Sequence, residues 1–184
     1  MEKDNYIILT GAMGAGKSTV ISRLKEMGYS CINEPAREIL AEQRQINGNG
    51  VPEKDPKLFT ELMLSRMIFQ YQLFSEKTGP VFFDRGIPDI TGYADIFNIE
   101  KTVFENASDK FRFNKNVFMF SGYKEIYVND EERKMSFELA DKFGRDIGKI
   151  YQDSGYNIHE VPLDKTDKRA DLILEILKSE NNLF

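Results

Sequence analysis

The most specific chemistry in the chain sits in Gly11-Ala12-Met13-Gly14-Ala15-Gly16-Lys17-Ser18. Gly11, Gly16, Lys17 and Ser18 fill every fixed position of the pattern G-x-x-x-x-G-K-[ST]. Glycines let a backbone curl until its N–H groups point inward at phosphate oxygens. A helix opening near Lys17 adds its positive dipole end. In this reading Lys17 reaches the β- and γ-phosphates and the Ser18 hydroxyl takes a Mg²⁺ position, while the segment from Gly11 to Thr19 wraps the phosphates of ATP or GTP. A chance match would lack the strand-then-helix context the motif needs; here the apolar run Tyr6-Ile7-Ile8-Leu9-Thr10 leads straight into the loop.

Two acids can work beside such a loop. Asp84 ends the apolar run Val81-Phe82-Phe83, where a phosphate-binding loop expects an acid near the metal. Taken alone, it reads equally well as a cap on the next turn. Glu34 follows a short second strand. In open α/β sheets ligands bind beyond the carboxyl ends of the strands, which is where the loop, Glu34 and Asp84 would meet. A carboxylate there can accept a hydroxyl proton or orient the attacking oxygen.

Several cations are candidates to support that chemistry. Arg37, one helical turn after Glu34, would steady a phosphate or pair with Glu34. Arg85 directly follows Asp84, with a structural ion pair as the competing reading. Phe59, Met63, Arg66, Gln70 and Leu73 share one face of a long helix, and the apolar members read as core. Arg66 and Gln70 interrupt that stripe and need partners, which makes them candidates to line a substrate pocket. In Glu131-Glu132-Arg133-Lys134, Arg133 is a candidate lid arginine for charge on a transferred phosphoryl group. Its competing reading is an exposed helix laced by i, i+4 pairs. Arg145 is a weaker candidate of the same kind. His159 reads as structural, because the sequence has no metal-ligand spacing of Cys and His. Cys31 reads as a buried strand residue.

The elements that must position these residues alternate strand and helix. Strands are expected at residues 6–10, 29–33, 81–84, 116–120 and 158–162. Helices are expected from Lys17 to a stop near Gly28, over 36–45, over about 56–77, after the Gly86/Pro88 turn, over 131–154 and over about 167–178. Asn47-Gly48-Asn49-Gly50, with Pro52 and Pro56, forms a loop between two helices. Continuous apolar strands alternating with helices imply one α/β domain, a parallel sheet of about five strands covered on both faces.

Length and charge agree with that. The chain has 184 residues, 41% hydrophobic and 30% charged, enough for a single domain spanning 1–184. No run approaches the length of a membrane span, and the N-terminus does not read as a signal peptide. A formal net charge of -5 argues against a general nucleic-acid binder. The single cysteine excludes an internal disulfide and fits a reducing, cytoplasmic setting.

Four segments, in this order, carry a resemblance: Gly11 to Ser18, Glu34-Pro35-Ala36-Arg37-Glu38, Phe83-Asp84-Arg85-Gly86-Ile87-Pro88-Asp89, and Ile126-Tyr127-Val128-Asn129-Asp130-Glu131-Glu132-Arg133. On them the chain resembles the small "AAA domain" P-loop proteins grouped with the nicotinamide riboside kinase domain. More distantly it is similar to deoxynucleoside kinases. The resemblance spans nearly the whole chain; its phosphate loop is generic, while the second and third segments are more specific. It implies a P-loop NTPase three-layer sandwich with sheet order 2-3-1-4-5 and a helical lid over about 121–150, not the ring-forming machinery of AAA+ ATPases. It also implies that Glu34 lies near an acceptor hydroxyl, Asp84-Arg85 at the metal and phosphates, and Arg133 in the lid. Phe69-Gln70 resembles the base-reading glutamine region of deoxynucleoside kinases. Their second strand places an aromatic residue soon after the acid, however, where this chain has Pro35, Ala36 and Arg37. That departure weighs against a deoxynucleoside acceptor.

The expectation that follows is a Mg²⁺- and ATP-dependent kinase acting on a small hydroxyl acceptor of nucleoside or nicotinamide riboside type. The competing reading is a regulatory ATP- or GTP-binding NTPase that works through a protein partner. A homodimer stays open, and phosphorylation of nucleic-acid ends is disfavoured by the net charge.

Overall fold

Every residue of β1 (Tyr6–Gly11) is buried, as a strand at the centre of a covered parallel sheet must be. It pairs in parallel with β3 (Val81–Asp84) on one side and β4 (Asn116–Phe120) on the other. β2 (Ser30–Ile32) lies outside β3, and β5 (Asn157–Glu160) lies outside β4. The order is therefore β2-β3-β1-β4-β5, as the resemblance implies. The structure is a computed structural model and describes residues 2–127 and 136–180.

Alternating side chains split the core in two. Ile7, Leu9, Phe82, Phe118 and Phe120 face α1 (Lys17–Glu26) and α7 (Thr166–Glu180), meeting Val20, Leu24, Ile173 and Leu177. Tyr6, Ile8, Phe83, Val117 and Met119 face the opposite layer. That layer holds α3 (Pro56–Leu73), α4 (Asp89–Phe97), α5 (Thr102–Lys110) and α6 (Phe137–Asp153), with α2 (Ala36–Gln45) against α3. This is the expected three-layer α/β sandwich. Among the described residues no helix is long and apolar enough to cross a membrane.

Local chemistry sets the helix ends. Asp55 caps α3, its carboxylate accepting from the Leu58 N–H at 2.9 Å, with Pro56 in the first turn. Ser136 caps α6 by accepting from the Leu139 N–H. The helix expected over 56–77 stops at Leu73, because Ser75 N and Lys77 N turn back to Gln72 O and Phe74 O. The single helix expected after Gly86 is two, α4 and α5, divided at Asn98, whose φ of 52° ends a helix in the left-handed region. The helix expected over 131–154 is α6 from Phe137, and 131–135 lie outside the described residues.

The register places the site. Leu9 sits beside Asp84, and Gly11 beside Phe120, so the loop after β1 opens next to the acid that ends β3. α6 presses on the loop from the other layer. A Cβ on Gly144 would lie 2.8 Å from the backbone N of Ala12, so only glycine allows that approach.

Candidate active site

The loop between β1 and α1 is capped by Gly16 in the left-handed region, φ 86°, and among the described residues this cap makes no side-chain hydrogen bond to the first-turn amides. Those amides and the helix dipole are what an anion would use. The Lys17 ammonium is buried and donates to Ala12 O at 2.7 Å, with Gly11 O at 3.4 Å. Burial, and then the Arg85 guanidinium, push its pKa down to about 7, against the pull of Asp84, Glu34 and Asp89.

The Ser18 hydroxyl donates to Asp84 Oδ2 at 3.4 Å, joining the helix start to the end of β3. Among the described residues Asp84 Oδ1 is buried with no hydrogen-bond partner. Burial raises the Asp84 pKa, with Lys17 and Arg85 opposing and Glu34 and Asp89 adding. An orphaned carboxylate oxygen beside a serine hydroxyl fits a hard divalent cation. Mg²⁺ in such sites takes one or two protein oxygens and completes its shell with phosphates and water. Among the described residues no group of three or more His, Cys, Asp or Glu could hold a metal by itself.

Arg85 occupies the left-handed region at φ 70°, a conformation that costs a non-glycine residue about 1–2 kcal/mol. Its side chain shows what over-determines it. Nη1 donates to Gly11 O at 3.1 Å and to Asp89 Oδ1 at 3.0 Å. Nε lies 3.0 Å from Glu34 Oε1, an ion-pair distance at which the N–H is not aligned as a hydrogen bond. Asp89 is fully buried and also accepts from the Thr10 hydroxyl, the Gly86 N–H and the Tyr151 phenol, at 2.5, 2.9 and 2.6 Å. The Tyr93 phenol donates to Glu34 Oε1 at 2.5 Å.

Lys17, Ser18, Glu34, Asp84, Arg85 and Tyr93 form the polar end of a cavity of about 340 Å³. Leu40, Pro52, Phe59, Ile96 and Phe97 line the rest of it, together with Met13, Gly14, Ala36 and Arg37. A second cavity of about 410 Å³ is lined by Gly14, Gly16, Lys17, Ser18 and Thr19 on one side and by Leu163, Asp164, Thr166 and Arg169 on the other. Gly14, Lys17 and Ser18 are common to both.

The structure thus brings together the loop, Glu34, Arg37, Asp84 and Arg85. Arg66 instead pairs with Glu38 and Glu42 of α2, at 3.4 and 2.9 Å. Gln70 Nε2 reaches Asn33 O at 3.4 Å. Neither is among the residues lining the two cavities. Arg133 lies outside the described residues. Arg145 pairs with Asp141 on α6, away from both cavities. His159 stacks on Phe118, and its Nε2 meets Asn116 Oδ1 at 3.0 Å, a structural arrangement. Cys31 is half-buried rather than buried because β2 is an edge strand; burial pushes its thiol up to about 11.

Sequence reasoning gave no role to Asp89, Tyr93 or Arg169. Asp89 stands four residues after Arg85, the spacing of a helical ion pair, and that was a usable signal. Tyr93 and Arg169 had none. Arg169 is buried on α7, its Nη1 donating to Ala15 O at 3.0 Å and its Cζ 4.4 Å from the centre of the Phe120 ring.

Solved structures with this architecture are kinases in several cases. Deoxyadenosine kinase from M. mycoides, solved with the products dCMP and dCDP, superposes with a TM-score of 0.68 at 20% identity, covering 95% of this chain and 99% of that one. The NadR protein in complex with NR gives 0.62 at 20% identity, covering 96% of this chain and 51% of that one. Shikimate kinase from Acinetobacter baumannii, in complex with shikimate, gives 0.56 at 17% identity, covering 97% and 95%. At these identities the likeness is one of fold. No curated protein matches the sequence. The phosphate loop, the acid of β3 and the sheet order lie within residues 6–169, which match the family model described as "AAA domain", and the chain belongs to that family.

Proposed function

We propose that this chain is a Mg²⁺- and ATP-dependent kinase, GTP being the alternative donor, that moves a γ-phosphoryl group to a hydroxyl of a small acceptor. A nucleoside or nicotinamide riboside-like compound is the acceptor type favoured. The observation that carries the reading is the pair of cavities meeting at Gly14, Lys17 and Ser18. A regulatory NTPase needs only one of them. A kinase needs both, one for each substrate, with the transferred group passing between them.

The residues have complementary roles in this reading. The loop amides and Lys17 hold the donor's phosphates in the second cavity and offset their charge. Mg²⁺, when bound at Ser18 and Asp84, neutralises charge on the β- and γ-phosphate oxygens. Glu34 takes the proton of the acceptor hydroxyl as its oxygen bonds to the γ-phosphorus. The bond from that phosphorus to the bridging oxygen breaks, and the nucleoside diphosphate leaves with that electron pair. The mostly apolar remainder of the first cavity, with Phe59 and Phe97, suits a planar ring. Proteins of similar fold, among them deoxyadenosine kinase and the NadR protein solved in complex with NR, support the acceptor type. The reducing, cytoplasmic setting read from Cys31 fits this role.

The test is acceptor-dependent release of ADP or GDP across a panel of nucleosides, ribosylated vitamins and hydroxy acids. At least one acceptor is expected to raise turnover well above the basal rate. If none does, the kinase reading fails. Glu34→Gln is expected to lower kcat by about 10²-fold or more while leaving nucleotide affinity unchanged.

A further inference from the structure

Glu34 is held from two elements on the same atom. Tyr93, on α4, donates its hydroxyl to Oε1 at 2.5 Å, and Arg85 Nε lies 3.0 Å from that oxygen. Among the described residues nothing holds Oε2, and Glu34 lines the first cavity with about a quarter of its side chain exposed. A carboxylate at the end of a glutamate has a broad terminal torsion and, left alone, samples many directions. Fixing one oxygen from two sides removes that freedom and decides which oxygen faces the cavity.

We propose that Tyr93 is a positioning residue: with Arg85 it pins Oε1, so that Oε2 is the oxygen presented to the acceptor hydroxyl. This rests on the kinase reading above. The Tyr93 ring is fixed against Phe143, centroids 5.2 Å apart. Burial and the adjacent Glu34 carboxylate hold its phenol well above the ordinary value, so it stays protonated and donates. Arg85 is anchored in turn by Asp89 and Gly11 O. The aim of Glu34 is thus set by side chains from β3's end and α4, far from its own segment. A misplacement of about 1 Å at a reacting group costs on the order of 10²-fold.

Tyr93→Phe keeps the ring against Phe143 and removes only the hydroxyl. With nucleotide and an acceptor that turns over, kcat is expected to fall about tenfold, while acceptor KM and nucleotide affinity stay within about twofold. In a Glu34→Gln background the same change is expected to do nothing further, because no base is left to aim. An equal loss in both backgrounds, or no loss in the native one, overturns the role of Tyr93. An unaltered kcat in Glu34→Gln alone instead removes the base and the kinase step assigned to it. A readout independent of turnover is the ¹³C NMR shift of the Glu34 carboxyl carbon, which is expected to move in Tyr93→Phe. A shift that stays in place overturns the pinning even where no acceptor is found.

Discussion

Arg85 Nη1 and Asp89 Oδ1 lie 3.0 Å apart with both side chains buried. The pair locks a left-handed residue at the rim of the site, and Asp89 reaches the sheet through Thr10 and α6 through Tyr151. Removing one partner of such a pair leaves a buried charge uncompensated, at a cost of about 3–5 kcal/mol. Asp89→Asn keeps the shape but gives up the charge and turns an NH₂ toward groups that themselves donate. A stability loss of that order is expected in chemical denaturation, with little change in the slope of the transition. A loss within about 0.5 kcal/mol would show that Asp89 is not the keystone its hydrogen bonds suggest.

What could be read from the chain without a structure follows from distance along it. The phosphate loop is local: its residues meet because a strand, a turn and a helix follow one another, so spacing alone located it. Asp84 was legible because an acid at the end of a buried strand faces the same rim. The link from Tyr93 to Glu34 joins residues 59 apart and depends on how α4 lies across β3, which no local pattern encodes. On α3, Phe59 and Met63 are buried as expected, whereas Leu73, expected in the core, is exposed, and Arg66 and Gln70 line neither cavity. Their neighbours are set by the packing of α2 against α3, and Arg66 meets Glu38 and Glu42 there.

Lys17 is expected to make nucleotide binding sensitive to pH. Its pKa in this structure is lowered to about 7, chiefly by burial. Phosphate oxygens favour the charged ammonium and raise that value in the complex. Above pH 7 the free site then holds fewer protons than the bound one, so binding takes up a proton. Affinity is fully present below 7 and weakens as pH rises toward the higher pKa of the complex, by up to about tenfold per pH unit. Calorimetry at pH 8 in buffers of different ionisation enthalpy is expected to show that uptake. The same depression works oppositely on folding: between pH 7 and the unfolded lysine's value the unfolded chain holds the extra proton, so this group's contribution to stability improves as pH rises. Affinity that is flat from pH 6.5 to 9 would contradict the lowered pKa.

The orphaned Asp84 oxygen leads to a prediction about Mg²⁺. With Ser18 and the phosphates, Asp84 would complete the cation's shell, and the carboxylate's charge is what draws the ion in. Asp84→Asn is expected to remove most of the Mg²⁺-dependent gain in nucleotide affinity, while metal-free affinity changes by less than about threefold. Titrating nucleotide with and without Mg²⁺ on both proteins measures this. An unchanged Mg²⁺ gain in the variant would place the ion elsewhere.

Gly16 carries two constraints at once. Its φ of 86° lies where a side chain is strained, and a Cβ there would come 2.7 Å from Arg169 Nη1. The guanidinium is not free to swing aside, because that nitrogen is held on Ala15 O and the group lies over Phe120. Gly16→Ala therefore forces either the loop or Arg169 to move, and the loop amides lose their common aim. A drop of at least tenfold in nucleotide affinity is expected, beside a stability cost of about 1–2 kcal/mol for strain at one left-handed residue. The double variant Gly16→Ala with Arg169→Ala separates the causes. It relieves the contact but leaves φ in place, so only partial recovery is expected. Full recovery would mean that the contact with Arg169, and not the backbone conformation, is what reserves this position for glycine.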